Sequence, residues 1–240
     1  MSEKDRKDTQ CCSEASEQRL RLRALILSET AVVTPPLTPE LRIHGAADFT
    51  TIWSATEARL EQMALPPPFW AFAWAGGQAL ARWLLDNPEE ARDRSVLSIG
   101  AGCGLEAIAA ARAGARRVVA NDIDVAALAA AEENAALNGV TIETEATDLL
   151  TGDALPPADL ILAGDVFYEK SLSETLERML RRAAAAGAVV RIGDPDRNYA
   201  PTTRLRPLAE YRVPVPMALE DVSERRARVY ALDPPETPAL

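Results

Sequence analysis

The chain has few of the residues from which disulfide frameworks and metal sites are built. Three cysteines, Cys11, Cys12 and Cys103, are too few for a disulfide framework. The single histidine, His44, together with these thiols cannot supply the paired ligand spacing of a structural zinc site. We therefore expect a protein from a reducing compartment that binds no metal.

Basic patches and long apolar runs are also missing. Lys and Arg number 26 against 36 Asp and Glu, so the formal net charge is −10 and the surrounding field repels nucleic-acid phosphates and anionic lipid. No apolar run approaches the ~18 residues of a membrane span. The N-terminal segment carries acidic residues and lacks the apolar core of a signal peptide. These absences predict a cytoplasmic protein with no nucleic-acid and no membrane partner.

A regular alternation of helices and strands is present after the triple proline at residues 66–68. Helices are predicted over 72–85, 105–112, 125–137 and 172–185, and strands over 96–99, 118–120, 140–144, 160–162 and 188–192. This order predicts an α/β fold with a doubly wound, mostly parallel sheet and helices on both faces. Two further extended segments, 211–216 and 226–232, indicate that the sheet ends in an antiparallel pair.

The region before the triple proline is predicted to be a small N-terminal extension. A short helix at 20–27, a short strand at 41–44 and a helix at 52–63 are separated by prolines. The expected organisation is a disordered tail, an N-terminal extension, the main α/β domain and a C-terminal tail, over residues 1–18, 19–66, 67–232 and 233–240.

A glycine-rich loop follows the first predicted strand of the main domain. Gly100, Gly102 and Gly104 lie at the carboxyl end of that strand, where doubly wound sheets bind ligands. The spacing differs from the dinucleotide motif, because the third glycine comes one residue early and Leu105 takes its place. The loop also lacks the Gly-Lys-Ser/Thr sequence of a phosphate-binding loop. A purely structural turn is the alternative interpretation.

Carboxylates follow the next two predicted strands. Asp122 comes 122 − 100 = 22 residues after Gly100, the position from which an acidic side chain binds both hydroxyls of a ribose. Its alternative role is to cap the helix that begins near residue 125, for which Asp124 is better placed. Asp148 follows the third strand and either lies near an adenine amino group or caps a helix. The pattern predicts a nucleoside ligand.

In this order, the glycine loop, Asp122, Asp148 and the sequence Asp-Val-Phe-Tyr at 165–168 resemble the motifs of seven-strand S-adenosylmethionine-dependent methyltransferases. Residues 67–82 and the Gly-Asp-Pro run at 193–195 resemble, more narrowly, the electron transfer flavoprotein β-subunit lysine methyltransferases. The resemblance extends over residues 39–232. It implies a Rossmann-like fold, S-adenosylmethionine as cofactor and the flavoprotein β subunit as protein substrate, with ribosomal proteins as further candidate substrates. One departure is Ser98, where the family commonly has an acidic residue.

The resemblance also implies roles for individual residues around the target amine. Asp165 is expected to hold and aim the amine rather than act as a general base, because a carboxylate favours the ammonium form. Phe167 and Tyr168 are expected to wall the amine channel, and Tyr168 offers a ring face to a methylated cation. Core packing is the alternative for both rings. Trp74 and Ala163 are implied to lie at the cofactor, although a tryptophan at helical spacing also suits the core.

Two adjacent glycines, Gly76 and Gly77, lie inside a predicted helix, where each costs about 1 kcal/mol relative to alanine. Close approach of a ligand or of another backbone would explain them.

Two competing functions remain open at the level of sequence. A dedicated large-subunit ribosomal protein methyltransferase shares the fold but usually carries an Asn-Pro-Pro-type motif where this chain has Gly-Asp-Val-Phe-Tyr at 164–168. A non-catalytic module that binds the flavoprotein is the other alternative. The presence of the glycine loop, Asp122 and the Asp-x-x-Tyr sequence favours an enzyme over such a module.

Overall fold

The computed structural model describes residues 17–46 and 66–234, which form a mixed α/β arrangement. The strands are β1 Ala31–Val33, β2 Ile43–Gly45, β3 Ser95–Ile99, β4 Arg117–Asn121, β5 Glu143–Glu145, β6 Leu160–Gly164, β7 Val189–Asp194, β8 Leu205–Pro214 and β9 Glu224–Leu232. The helices are α1 (17–29), α2 Ala75–Asp86, α3 Leu105–Arg112, α4 Val125–Leu137, α5 Lys170–Ala185 and α6 Met217–Glu220. Single 3-10 turns cover Phe69–Ala71, Pro88–Glu90 and Leu149–Thr151.

Seven of these strands form one sheet in the order β5-β4-β3-β6-β7-β9-β8. Strands β3 to β7 pair in parallel, whereas β9 pairs antiparallel with both β7 and β8. The predicted doubly wound, mostly parallel sheet and its antiparallel end are therefore confirmed. The chain runs from β3 outward to β5 and returns to β6 on the other side of β3, so the topological switch lies between β3 and β6.

Helices cover both faces of this sheet. Along the central strand β6, Leu160 and Leu162 pack in the same apolar cluster as residues of α2 and α3. Ile161 and Ala163 point to the opposite face and pack in the cluster that contains Leu176 of α5. This period of two is what a fully buried parallel strand requires.

The N-terminal segment packs on α4. Leu22 and Ile26 of α1 share an apolar cluster with Trp70 and with alanines of α4. Arg23 of α1 also forms a salt bridge of 3.0 Å with Glu133. Strands β1 and β2 pair antiparallel as a small second sheet. The predicted helix at 52–63 lies outside the described residues.

Several element boundaries differ from those predicted. Helix α2 begins at Ala75 rather than at residue 72, because the chain at Phe69–Ala71 forms a 3-10 turn and Trp74 is extended. Helix α5 begins at Lys170, two positions before the predicted start, since the Glu169 carboxylate accepts hydrogen bonds from the backbone N–H groups of its first turn. Among the described residues, no helix is both long and apolar enough to cross a membrane.

Candidate active site

The glycine loop joins β3 to α3 at the carboxyl edge of the sheet, beside the topological switch. Gly102 has a φ of +51°, and a Cβ built on it would meet no atom within 4 Å. Gly104 has a φ of +77°, and its Cβ would lie 2.8 Å from the Cβ of Ala131 on α4. Gly104 therefore permits helix packing, whereas the space in front of Gly102 is open.

Asp122 holds this loop from the end of β4. Its Oδ2 accepts a hydrogen bond of 2.9 Å from the Gly102 N–H, and its Oδ1 accepts one of 3.0 Å from the Asp124 N–H. Burial raises the pKa of Asp122, while these backbone hydrogen bonds oppose that rise. Asp124 caps α4 by accepting from the Ala126 N–H at 2.8 Å, so the prediction that Asp124 rather than Asp122 is the cap is confirmed.

Asp165 follows β6 at the same edge, with a left-handed φ of 59°. Its Oδ2 accepts a hydrogen bond of 2.8 Å from the Gly76 N–H at the start of α2. Its Oδ1 accepts one of 2.7 Å from Nε of Arg197. Burial raises the pKa of Asp165, and the Arg197 charge opposes that rise. A residue that the sequence placed at the amine is thus also a link between β6, α2 and the segment after β7.

Arg197 connects Asp165 to the hairpin formed by β8 and β9. Its guanidinium donates to Glu220 at 2.9 Å, and Glu220 is buried and also accepts from Nε of Arg225 at 3.0 Å. The same guanidinium lies 5.9 Å from the centroid of the Trp74 ring. The structure therefore brings Trp74 and Asp165 together around one cation. No local pattern predicts the role of Arg197, because Asp165 and Glu220, which its guanidinium contacts, lie 32 and 23 residues away along the chain.

Asp194, from the Gly-Asp-Pro run, is a second buried carboxyl at this edge. Its Oδ1 accepts a hydrogen bond of 2.7 Å from the Arg197 N–H, whereas its buried Oδ2 has no hydrogen-bond partner among the residues that the structure describes. Burial raises the pKa of Asp194 to about 7.

The glycines at the start of α2 are explained by a close backbone contact. A Cβ on Gly76 would lie 2.3 Å from the carbonyl oxygen of Gly193 on β7, and a Cβ on Gly193 would lie 2.2 Å from that of Gly76. No side chain fits between two backbones at this separation. Of the two explanations that the sequence allowed, approach of another backbone is the one that the structure shows for Gly76.

The two aromatic residues that were expected to wall the amine channel differ in their exposure. Phe167 is fully buried in the cluster with Leu97 and Leu176, which corrects the expectation that it walls an open channel, since a ring closed off by core packing cannot line one. Tyr168 is 64% exposed at the same edge.

Two of the residues placed at the cofactor have structural partners. The Asp148 carboxylate accepts from the Leu150 N–H at 3.0 Å and caps the 3-10 turn Leu149–Thr151, as its alternative role predicts. Ala163 is fully buried within β6, so its methyl group packs in the core and only its backbone remains for a ligand.

Known proteins are similar to this chain along most of its length. A Xenopus laevis protein described as electron transfer flavoprotein beta subunit lysine methyltransferase is 37% identical over 217 residues, which are 88% of this chain and 87% of that protein. The Danio rerio and Homo sapiens proteins of the same description are 40% and 36% identical, over 73% of this chain and 68% and 67% of their own lengths.

A second group of proteins matches a shorter region. The family model of ribosomal protein L11 methyltransferase (PrmA) matches residues 79–190. The ribosomal protein L11 methyltransferase of Geobacter sulfurreducens is 45% identical over 94 residues, which are 39% of this chain and 29% of that protein. The similarity to this group is therefore confined to part of the α/β domain.

Proposed function

The chain belongs to the family of electron transfer flavoprotein beta subunit lysine methyltransferases, and we propose that it transfers methyl groups from S-adenosylmethionine to lysine side chains of that flavoprotein subunit. The observation that carries the proposal is the hydrogen bond from the Gly102 N–H to Asp122, next to the open space in front of Gly102. At this point of the sheet edge, a ligand can reach both a carboxylate and a backbone segment that no side chain of the described residues covers.

The residues at this edge fit the cofactor. A carboxylate has about four acceptor positions, so the two hydrogen bonds to Asp122 leave capacity for the hydroxyls of a ribose. The backbone of Gly100 and Gly102 would lie along the cofactor, with Trp74 beside it and Asp148 at the adenine end. When bound, the cofactor supplies a methyl group on a sulfonium, which an amine nitrogen accepts by in-line displacement without a metal.

The groups around Asp165 suit the handling of a lysine amine. Only the neutral amine attacks, and deprotonation of a lysine with a pKa of about 10.4 costs roughly 4 to 5 kcal/mol at neutral pH unless the site lowers that pKa. The Arg197 cation, 2.7 Å from Asp165, disfavours a second cation at this point. Asp165 then aims the amine through its remaining acceptor positions, while the exposed ring of Tyr168 packs against the methylated product.

The surface at the same edge suits a protein substrate. Large apolar side chains are exposed on the segments that precede α2, follow β4, β6 and β7, and connect β8 to β9: Phe69, Ile123, Tyr168, Tyr199 and Met217. Exposed apolar groups that surround a site are typical of protein-binding surfaces. This distribution supports a macromolecular substrate rather than a free amino acid.

Ribosomal protein L11 is the second candidate substrate, because the family model of its methyltransferase matches residues 79–190. The two substrates are distinguished by incubating the purified chain with labelled S-adenosylmethionine and either the flavoprotein β subunit or L11. We expect label in the β subunit, and none when its lysines are chemically blocked beforehand. Label in L11 alone would replace the proposed substrate. Binding of the β subunit without any transfer would indicate a non-catalytic module.

A further inference from the structure

A buried carboxyl group lies directly after the glycine loop that we assign to the cofactor. Glu106 is in the first turn of α3, directly after the glycine loop, and is only 3% exposed. Its Oε1 accepts a hydrogen bond of 3.4 Å from the hydroxyl of Ser98 on β3. A Cβ built on Gly164, at the end of β6, would lie 3.0 Å from the same oxygen, and one on Gly77 would lie 3.3 Å from Oε2. Glu106 therefore lies where β3, β6 and the start of α2 meet.

Nothing in the described ranges 17–46 and 66–234 neutralises this group. Glu106 forms no salt bridge there. Burial raises the pKa of Glu106 to about 8, and the Asp165 and Asp122 carboxylates add to the rise. Only its own backbone N–H and the Ser98 hydroxyl oppose the rise of its pKa. Burial and Glu106 together also raise the pKa of Cys103 in the loop to about 12. A carboxyl in such surroundings is costly to ionise and destabilises the ligand-free fold as the pH rises.

A cationic ligand would remove this cost. S-adenosylmethionine carries a sulfonium, an ammonium and a carboxylate at its methionyl end, so this end has a net positive charge, and the crevice that we assign to it opens at the loop immediately before α3. An opposite charge favours the ionised form of a carboxyl group, so the cofactor and an ionised Glu106 would stabilise each other. The long hydrogen bond from Ser98 is too weak to replace that interaction.

We propose that Glu106 is a positioning residue that supplies the negative charge opposite the cationic methionyl end of the cofactor. This inference rests on the proposed function. The charge is delivered from α3, at a point where β3 carries the neutral Ser98, and Glu106 releases its proton to solvent when the cofactor binds. The same charge makes the site prefer the sulfonium cofactor to its neutral thioether product.

Calorimetry of Glu106→Gln tests the proposal, because glutamine keeps the shape and the acceptor oxygen but cannot ionise. We expect roughly tenfold weaker binding of S-adenosylmethionine and a smaller loss for S-adenosylhomocysteine. Titrations near pH 7 in buffers of different ionisation enthalpy should show proton release by the wild type and none by Glu106→Gln. The matched control is Glu174→Gln, an exposed carboxylate on α5 whose side chain is 66% accessible.

A carboxylate introduced on β3, at the position of Ser98, provides a second test of the proposal. The double variant Ser98→Asp/Glu106→Gln should recover most of the lost affinity for S-adenosylmethionine. Unchanged affinity for both ligands and unchanged proton release in Glu106→Gln would overturn the proposal. That outcome differs from failure of the proposed function, in which the wild type itself binds no cofactor or methylates no protein.

Thermal unfolding of the ligand-free variants shows that they are folded. It also tests the ionisation of Glu106 independently of cofactor binding. The pKa of Glu106 is about 8 when folded, against 4.5 as its ordinary value. The native state therefore binds more protons between these values, and the wild type loses stability as the pH rises through this window. Glu106→Gln should show a gain in Tm that increases from about pH 5 to about pH 8. A gain that does not change with pH would contradict a buried ionisable role.

Discussion

At the scale of single residues, Asp122 and Asp165 illustrate two uses of a carboxylate at the end of a strand. Asp122 accepts from the backbone N–H groups of Gly102 and Asp124, which lie at its own edge of the sheet. Asp165 accepts one backbone N–H and one guanidinium N–H from two distant parts of the chain. Substitutions should therefore affect cofactor binding at the first residue and methyl transfer at the second.

Removal of the Asp122 carboxylate should weaken binding of S-adenosylmethionine by at least about tenfold, because each charged hydrogen bond is worth roughly 1.5 to 3 kcal/mol. Calorimetry with Asp122→Ala measures the loss, and Asp153→Ala, at an exposed position, is the control. Wild-type affinity in the folded Asp122 variant would assign the ribose to another residue.

Substitution of Asp165 should separate cofactor binding from transfer. Asp165→Ala should keep the cofactor affinity within a few fold but lower the single-turnover rate by about two orders of magnitude, since a misaimed amine loses its attack geometry. Asp165→Asn should retain more activity than Asp165→Ala but less than the wild type, because Gly76 and Arg197 donate to different carboxylate oxygens and asparagine would turn its NH2 group toward one of these donors. Equal rates for the wild type and both variants on the flavoprotein β subunit would remove Asp165 from the mechanism.

At the scale of elements, the sequence predicts the bounds of those helices and strands that depend on local patterns. Helix α4 has the predicted bounds, Val125–Leu137, because Asp124 is a side-chain cap and Asn138-Gly139 ends the apolar run. Strand β5 was predicted at 140–144 but lies at Glu143–Glu145. This strand forms the edge of the sheet, and its bounds depend on its pairing with β4 rather than on its own apolar residues. The start of α2 depends on a backbone contact with β7 that no local pattern contains.

That contact gives a prediction at the same scale. Gly193→Ala should destabilise the protein by roughly 3 kcal/mol or more, because the new methyl group would lie 2.2 Å from the carbonyl oxygen of Gly76 and would push α2 away from the sheet. Gly152→Ala is the matched control, since its Cβ meets no atom closer than 3.6 Å. Urea unfolding measures both variants, and equal stability would mean that α2 moves freely relative to β7.

At the scale of the whole molecule, a fully buried asparagine joins the N-terminal segment to the candidate site. The Asn134 side chain on α4 donates to the carbonyl of Cys103 in the glycine loop at 2.9 Å and accepts from the His44 N–H on β2 at 2.6 Å. These partners lie 31 and 90 residues from Asn134. The sequence could predict the loop and the strand separately, but not that one side chain connects them.

Asn134→Ala should therefore affect both stability and the site. It leaves the buried Cys103 carbonyl without this partner, at a cost of roughly 1 to 3 kcal/mol, and removes the acceptor of the partly buried His44 N–H. We expect a lower urea midpoint together with weaker binding of S-adenosylmethionine, whereas Asn198→Ala, at an exposed position, should change neither. Reduced stability with unchanged binding would show that the loop keeps its shape without Asn134.

Intact-mass spectrometry of the electron transfer flavoprotein β subunit, after incubation with this chain and S-adenosylmethionine, tests the proposed activity most directly. We predict mass increases in steps of one methyl group, assigned to lysine side chains by fragmentation. Gly102→Val should produce no increase, because it places a side chain in the crevice at a φ of +51°. An unchanged subunit mass, with wild-type protein that binds the cofactor, would contradict the assignment.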